Sequence, residues 1–281
     1  MSKYVDIYTT GYETLERAGI TEAKLDARLL LEYVCGTDHN TLLTHPEKEV
    51  SGEEEGRFLE FIDRRSKREP VAYIIGNWDF MGLNFDVCSD VLIPEQDTEI
   101  LVEETMRYLQ DGMRLLDLCT GSGCIALSLL HYSNDTHALC TDISSKALNV
   151  AKGNASKLGL GDRAEFMETD LFPDEAAGKF DVIVSNPPYI ASKVIEELAP
   201  EVRDFEPRLA LDGAEDGLVF YRRIVENAHK FLNSSGYLLL EIGYDQAEAV
   251  TALMQEKNVY HDIQVIKDLG GNDRVISACF Y

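Results

Sequence analysis

From about residue 97 onward, short apolar runs alternate with longer stretches in which apolar residues recur at helical spacing. This alternation is typical of a mostly parallel, doubly wound sheet with helices on both faces. Six residues separate the last two apolar runs, too few for a crossover helix, so we expect those strands to pair antiparallel. The pattern predicts an α/β fold with a Rossmann-like sheet. The predicted strands are 114–119, 137–143, 164–168, 180–185, 236–242, 261–267 and 274–280, and the predicted helices lie near 97–110, 123–132, 144–158, 215–232 and 245–256.

The first 75 residues have helical spacing instead. One predicted helix takes Thr21 as its N-cap and ends at Gly36. A second begins with a capping box of Ser51 and Glu54, and basic residues at its end complement the helix dipole. We therefore predict a small N-terminal helical bundle over residues 1–75. Its apolar positions are Leu25, Leu29, Leu30, Tyr33 and Val34 in one helix and Phe58, Phe61 and Ile62 in the other.

Two short β-like runs, 73–76 and 83–87, follow the bundle and are separated by Gly82. Such a pair predicts a β-hairpin. We expect a hairpin linker over residues 76–96 and a sheet domain over residues 97–281.

Charge and composition narrow the function. The 281 residues are 45% hydrophobic and 27% charged, as in a soluble folded protein. Fifty acidic against 26 basic residues give a net charge of −24, which disfavours nucleic acid as the main partner. The charge is explained equally well by solubility and by attraction to a basic protein. With no apolar run of membrane-spanning length and no basic start before an apolar core, we expect a cytoplasmic protein without membrane contact.

The cysteines and histidines indicate no metal site. Six scattered cysteines form no C-x-x-C pair, so we expect reduced thiols and no bound metal. The sequence also lacks H-E-x-x-H and G-x-S-x-G, which removes support for a zinc protease or an α/β-hydrolase.

The first chemical motif is the segment LLDLCTGSGCIA at 115–126, in which a strand ends in a glycine-rich turn and a helix begins. Gly121 and Gly123 allow close approach of a ligand, and the helix N-terminus offers free N–H groups. The segment also fits the dinucleotide pattern G-x-G-x-x-G/A, and a turn needed only for tight packing would look the same.

Two acidic residues end the next two predicted strands. Asp142, nineteen residues after Gly123, can accept both hydroxyls of a ribose, which NAD and S-adenosylmethionine share; alternatively it caps the following helix. Asp170 can accept the adenine amino group, with Leu171 or Phe172 packed on the ring.

The fourth motif is Asn186-Pro187-Pro188-Tyr189, which a buried strand delivers to the carboxyl edge of the sheet. The prolines stiffen the turn and have no N–H, so the turn presents carbonyl oxygens and the Asn186 side chain as acceptors. A planar NH2 group, in an amide or a base, has two donors to match them, and Tyr189 can stack on its face. Together with the three upstream motifs, this turn indicates transfer to a planar nitrogen.

These motifs resemble those of class I S-adenosylmethionine-dependent methyltransferases, and more narrowly the HemK/PrmC family of release factor glutamine N5-methyltransferases. The resemblance extends from about residue 68 to the C-terminus. Residues 70–76, 80–83 and 91–94 with Thr98 and Glu99 are similar to that family's linker. Residues 206–211 and 216–218 are similar to its segment after the catalytic turn.

The resemblance implies methylation of the glutamine in the Gly-Gly-Gln motif of class-1 peptide chain release factors, which would be the partners. Cys119, Thr120, Gly121, Ser122 and Gly123 would cradle the methionine part of S-adenosylmethionine. Asp142 would hold the ribose, and Asp170 with Leu171 the adenine. Asn186 would lie between cofactor and substrate, and Asn186, Pro187, Pro188 and Tyr189 would bind the glutamine.

The sequence departs from the family pattern at two places. Cys119 stands where the first glycine of the loop is usual, so we expect a negative φ there and modestly altered cofactor affinity. Glu95-Gln96 follow Pro94 where the family tends to have Arg-Pro, which reverses a charge near the expected pocket.

Four alternatives are weighed against the family interpretation. A glutamine methyltransferase acting on a ribosomal protein shares the chemistry, and an adenine-N6 nucleic-acid methyltransferase uses a similar turn but conflicts with the net charge. A NAD-dependent oxidoreductase fits the first two motifs and leaves Asp170 and the Asn186 turn without a role. A binding module with a vestigial pocket would bind release factor without methyl transfer.

Overall fold

The computed structural model describes residues 2–281. The first elements are α1 (Tyr4–Arg17), α2 (Ala23–Cys35), α3 (His39–Thr44), α4 (Gly52–Ser66), α5 (Val71–Ile75), β1 (Asn77–Phe80) and β2 (Leu83–Asp86). They are followed by α6 (Gln96–Met106), β3 (Arg114–Leu118), α7 (Cys124–Tyr132), β4 (His137–Asp142), α8 (Ser145–Lys157), β5 (Ala164–Glu168) and β6 (Phe180–Ser185). The last are α9 (Ser192–Ile195), α10 (Pro200–Phe205), α11 (Arg208–Leu211), α12 (Val219–Asn227), β7 (Leu232–Glu241), α13 (Ala247–Lys257), β8 (Tyr260–Lys267) and β9 (Asp273–Phe280).

The chain divides into two compact units. One contains the residues up to Asn77 together with Ala199–Phe205, and the other contains Trp78–Leu198 together with Glu206–Tyr281.

Helices α1, α2 and α4 of the first unit pack on one another around Leu15, Leu30, Leu31 and Phe58, all fully buried. A Cβ at Gly11 would lie 2.5 Å from the Phe58 ring, so this glycine lets α1 and α4 approach closely. The helical bundle expected from the apolar spacing is thus present.

Of the two N-caps predicted from the sequence, the structure contains one and not the other. The capping box is confirmed: the Ser51 hydroxyl accepts from the Glu54 N–H at 3.2 Å, and the Glu54 carboxylate accepts from the Ser51 N–H at 2.8 Å. The prediction of Thr21 as N-cap is wrong, because α2 begins at Ala23 and Glu22 takes the cap position. Thr21 lies one residue too early for its hydroxyl to reach the N–H groups that an N-cap satisfies.

The basic residues at the end of α4 are all held in ion pairs within the first unit. Arg65, whose side chain is 8% exposed, contacts Asp26 at 2.7 Å and Glu201 at 3.0 Å. These residues therefore stabilise the bundle and do not form a free basic patch. The remaining pairs are Arg64 with Glu69, Lys67 with Asp63, and Arg68 with Glu201.

The first of the two β-like runs is a helix. Residues 73–76 were expected to extend, yet α5 covers Val71–Ile75 and the hairpin strands are β1 and β2. Pro70 has φ −59 and its carbonyl accepts from the Ile74 N–H, while Gly76 ends the helix at φ +85. This proline start and glycine end outweigh the strand preference of Tyr73 and Ile74.

The sheet of the second unit confirms the predicted fold class. Its strand order is β5-β4-β3-β6-β7-β9-β8, and only β9 runs antiparallel to its neighbours. Val182 and Val184 pack into one core cluster and Ile183 into the other, as expected for a strand buried on both sides. Helices α6, α7 and α8 supply residues to the first cluster, and α12 and α13 to the second.

Parallel alignment brings the carboxyl ends of β3, β4, β5 and β6 to one edge of the sheet, where α/β folds bind ligands. Within residues 2–281, no helix combines the length and the apolar character needed to cross a membrane.

Candidate active site

A cavity of about 320 Å³ lies at this edge of the sheet, within the second unit, and its size is in the range of small-molecule sites. The loops after β3, β4, β5 and β6 contribute to its lining. The segment that leads into α6, the region around α11, and α12 contribute the other lining residues. The lining residues include Glu95, Thr98, Cys119, Thr120, Gly121, Ser122, Asp142, Ile143, Asp170, Leu171, Asn186, Pro188, Phe220 and Arg223.

The glycine-rich turn lines this cavity with residues 119–122. Gly121 has φ +56, and a Cβ there would meet nothing within 4 Å, so open space lies beside the loop. Gly123 is the N-cap of α7 at φ +81 and is not among the lining residues. A Cβ at Gly123 would lie 3.0 Å from Leu127 and 3.2 Å from Ala151, so this glycine serves helix packing.

Cys119 adopts φ +59, and the prediction of a negative φ is wrong. The flanking hydrogen bonds fix the turn whichever residue stands there: Thr120 donates its N–H to Thr141 at 3.0 Å and its hydroxyl to Asp117 at 2.6 Å. The backbone path of the turn therefore outweighs the preference of the cysteine. Burial of the thiol raises its pKa, so Cys119 is a neutral thiol in the cavity wall.

Asp142 joins two of the loops. Its carboxylate accepts from the Gly121 N–H at 3.0 Å and from the Ser144 N–H at 2.9 Å. Ser144, and not Asp142, caps α8 by accepting from the Ala147 N–H at 3.2 Å. The two carboxylate oxygens have about four acceptor sites between them, so Asp142 retains capacity to accept from a ribose hydroxyl.

Asp170 lies in the cavity wall and forms an ion pair with Arg223 at 2.8 Å. Leu171 is buried, with φ +70, and its carbonyl accepts from the Thr141 hydroxyl at 2.7 Å. Phe172 stacks instead on Phe231, with ring centroids 4.9 Å apart, and is not among the lining residues. Of the two predicted partners for a ring, only Leu171 faces the cavity.

The turn after β6 divides between the cavity and the protein interior. Asn186 and Pro188 line the cavity, whereas Pro187 and Tyr189 are not among its lining residues. The Tyr189 hydroxyl donates to the Glu241 carboxyl at 3.3 Å, and the Tyr189 carbonyl accepts from Gln246 at 2.9 Å. Tyr189 thus holds the turn from behind, and its predicted stacking on a substrate is not prepared in this structure.

Three carboxyl groups with raised pKa values lie in or near the site, and one of them, Glu95, lines the cavity. Burial raises the pKa of Glu206 and of Glu241 to about 7, and the nearby charge of Glu95 adds to both shifts. Loss of solvent and the neighbouring Asp97 raise the pKa of Glu95 itself. Glu95, where the family tends to have arginine, lines the cavity, so the charge reversal is a feature of this pocket.

Part of the cavity lining was not predicted from the sequence. Thr98 was noted only for its place in the linker, and Phe220 and Arg223 on α12 received no role. These residues lie outside the four motifs, so no motif pointed to them. The only related signal was the segment at 216–218, which leads into α12 and is similar to the family.

The lining residues fit S-adenosylmethionine. Asp142 supplies acceptors for a diol, Asp170 supplies an acceptor for an amino group, and Ile143, Leu171 and Phe220 supply apolar contact for a flat ring. The space beside Gly121 admits the methionine part. Among residues 2–281, no group of three or more His, Cys, Asp or Glu side chains is arranged to hold a metal ion, and all six cysteines are free thiols.

Comparison with known proteins shows the fold and the family. Family models match the chain at 6–76, described as the PrmC N-terminal domain, and at 85–202, the methyltransferase small domain. By fold, the chain is similar to a methyltransferase from Pyrococcus furiosus (16% identity, TM-score 0.52, 82% of this chain and 98% of that one). It is also similar to the hMettl16 catalytic domain in complex with the MAT2A 3'UTR hairpin 6 (19% identity, TM-score 0.56, 81% and 82%).

Curated relatives match over nearly their whole length. The release factor glutamine methyltransferase of Clostridium botulinum is 40% identical over 280 residues, which cover 98% of this chain and 99% of the relative. The protein of that name from Caulobacter vibrioides is 39% identical over 274 residues, covering 97% and 94%. With this similarity added to the cavity and its turn, the chain belongs to the release factor glutamine methyltransferase family.

Proposed function

We propose that this protein transfers the methyl group of S-adenosylmethionine to the side-chain amide nitrogen, N5, of the glutamine in the Gly-Gly-Gln motif of class-1 release factors. The observation that carries the proposal is the Asn186 turn. It brings Asn186 and Pro188 into the lining of the same cavity as Gly121, Asp142 and Asp170. The curated relatives named as release factor glutamine methyltransferases support the same activity. Because the substrate is a translation factor, we place the protein in the cytoplasm.

Each part of the site has a role in this reaction. Residues 119–122 would hold the methionine part of the cofactor, with Gly123 supporting the loop from the start of α7. Asp142 would hold the ribose, and Asp170 with Leu171 the adenine. S-adenosylmethionine, when bound, supplies an electrophilic methyl group on a sulfonium. Asn186 accepts one N–H group of the substrate amide, and the Pro187 carbonyl, which does not line the cavity in this structure, would accept the other once the substrate is bound. Together they fix the direction of the amide nitrogen. Alignment of two reacting groups lowers a barrier by roughly 7–11 kcal/mol in favourable cases.

The same acceptors also stabilise the charge that develops on the amide nitrogen during the reaction. The amide nitrogen is a weak nucleophile because its lone pair is delocalised, and positive charge builds on it as the new N–C bond forms. Oriented oxygens at Asn186 and Pro187 stabilise that charge. The nitrogen then loses a proton to water, so the site needs no dedicated general base.

The substitution Asn186→Ala tests this assignment. Turnover should fall by about tenfold to a hundredfold, the effect of losing one oriented polar contact. Transfer of an isotopically labelled methyl group to unmethylated release factor measures it, and mass spectrometry identifies the labelled residue. Asn134→Ala, an exposed asparagine of the second unit, serves as the matched control. Near-normal turnover of Asn186→Ala would contradict the role assigned to the turn.

The same experiment separates the alternatives when the wild-type protein is mixed with an unmethylated extract. Label on the Gly-Gly-Gln glutamine supports the proposal. Label on a glutamine of a ribosomal protein keeps the chemistry and changes the partner, and label on adenine makes the protein a nucleic-acid methyltransferase.

We also propose that the helical bundle at 1–75 recognises the release factor, with residues 76–96 as a linker to the methyltransferase domain at 97–281. The cavity lies within the second unit, which leaves the bundle free for a different task. Its surface carries exposed apolar side chains, including Leu43 at 66% and Leu59 at 43% exposure.

Replacing these two side chains, Leu43→Glu with Leu59→Glu, should raise the KM for whole release factor and leave the KM for a short Gly-Gly-Gln peptide unchanged. The reason is that only the whole factor reaches beyond the pocket. Val265→Glu, on the edge strand β8, is the control and should affect neither substrate. Equal effects on both substrates would remove the recognition role.

A further inference from the structure

We propose that Thr98 is a positioning residue that sets which end of the Asn186 amide faces the substrate. The inference rests on the proposed function, in which the Asn186 oxygen accepts an N–H of the substrate amide. It assigns a task to a residue of α6 that lies far along the chain from the four motifs.

Three elements converge at Thr98. The residue lies in the first turn of α6, is 3% exposed and lines the cavity. Its hydroxyl oxygen is 3.3 Å from Nδ2 of Asn186, which follows β6. The same hydroxyl faces the carboxyl of Glu241, a fully buried residue at the end of β7 whose Oε2 has no other hydrogen-bond partner. Thr98 therefore stands between a carboxylate and the asparagine of the turn.

The number of protons on this hydroxyl determines the direction of the bonds. A threonine hydroxyl has one hydrogen, and an ionised carboxylate only accepts. When Glu241 is ionised, Thr98 therefore donates to it and presents a lone pair to Asn186, and the Asn186 NH2 group donates to that lone pair. The Asn186 oxygen is then the end that remains for the substrate N–H.

The reverse orientation of Asn186 is disfavoured on both sides. Its oxygen would face the Thr98 oxygen, and its NH2 group would face the NH2 group of the substrate glutamine, donor against donor. Glu241 is itself held in place: the Tyr189 hydroxyl donates to its Oε1, while the charges of Arg274 and Glu95 act on it from β9 and from the start of α6. The buried carboxylate thus acts on the substrate only through Thr98 and Asn186.

Two substitutions at Thr98 test this. Thr98→Val keeps the shape and removes the hydroxyl, and it should lower kcat by about tenfold while KM and cofactor binding change little. Thr98→Ser restores the hydroxyl and should recover most of the loss. Thr105→Val is the matched control, because Thr105 is a buried threonine of the same helix whose hydroxyl bonds the Leu101 carbonyl.

A double variant separates positioning from damage to the fold. If Thr98 acts through Asn186, then Thr98→Val should have no further effect on kcat in the Asn186→Ala protein. The inference is overturned if Thr98→Val keeps wild-type kcat, if Thr98→Ser is as impaired as Thr98→Val, or if the effect persists without Asn186. A wild-type protein that labels no release factor overturns the proposed function instead, so the two failures are distinct.

Discussion

Cys119 occupies a backbone conformation that glycine adopts freely and other residues do not. Its φ of +59 places it in the left-handed region, where a Cβ costs roughly 1–2 kcal/mol. The family resemblance implies glycine at this position, which would adopt the same φ without strain. The thiol adds bulk to the wall of the cavity beside the proposed cofactor site.

The strain at Cys119 predicts an inverted order of stability between two substitutions. Cys119→Gly and Cys119→Ala both remove the thiol, but only alanine keeps a Cβ in the left-handed conformation. The glycine variant should therefore be the more stable by up to about 1 kcal/mol, measured as the free energy of unfolding in urea.

Cys35 provides the control, because it is the last residue of helix α2 and has no positive φ. There the ordinary order applies, and Cys35→Ala should be more stable than Cys35→Gly by roughly 0.5–1 kcal/mol. Alanine ranking above glycine at both positions would mean that the turn relaxes around Cys119 and stores no strain.

Residues at the ends of strands were predictable from the sequence, and their neighbours in space were not. Asp142, Asp170 and Asn186 each end an apolar run, and parallel strands bring such ends to one edge of a sheet. Thr98 and Arg223 belong to helices whose side chains reach the cavity only through packing. Tyr189 shows the same limit, because its sequence position gave no sign that Glu241 would draw its hydroxyl away from the cavity.

Among the elements, the seven strands of the sheet were predicted from their apolar runs, and the signal is almost continuous in β3, β4 and β6, which are buried on both faces. The pairing of β8 with β9 followed from the short connection alone. The error at α5 arose where two signals conflict in five residues. Val71 and Ile74 prefer strands, yet Pro70 and Gly76 delimit a single helical turn that buries Val71, Ala72, Tyr73 and Ile74.

Over the whole molecule, acidic groups dominate both the surface and the interior. The net charge is −24, and three carboxyls of the second unit have pKa values that burial raises to about 7. They belong to Asp117, Glu206 and Glu241. Asp117 accepts from the Thr120 hydroxyl, Glu206 from the Ile93 N–H, and Glu241 from the Tyr189 hydroxyl. Each binds its proton more tightly in the folded chain than in the unfolded chain, where ordinary values near 4 apply.

This raised affinity fixes the sign of the pH dependence. Between about pH 4.5 and pH 7 the folded state holds more protons than the unfolded state, so stability falls as pH rises through that window. Repulsion among the ionised surface carboxylates acts in the same direction. The protein should therefore be more stable at pH 6 than at pH 8, by urea unfolding at matched ionic strength.

Glu241 should account for a measurable share of that difference. A buried carboxyl with a pKa near 7 loses about 1 kcal/mol of stability between pH 6 and pH 8, because ionisation proceeds in a site that favours the neutral form. Glu241→Gln keeps the shape and removes the titration, so its unfolding free energy should depend less on pH by that amount. Glu165→Gln, an exposed residue of β5, should keep the wild-type dependence. If Glu241→Gln also keeps it, Glu241 is already ionised at pH 6, and its buried carboxylate is compensated by Tyr189, Thr98 and Arg274 more fully than the geometry indicates.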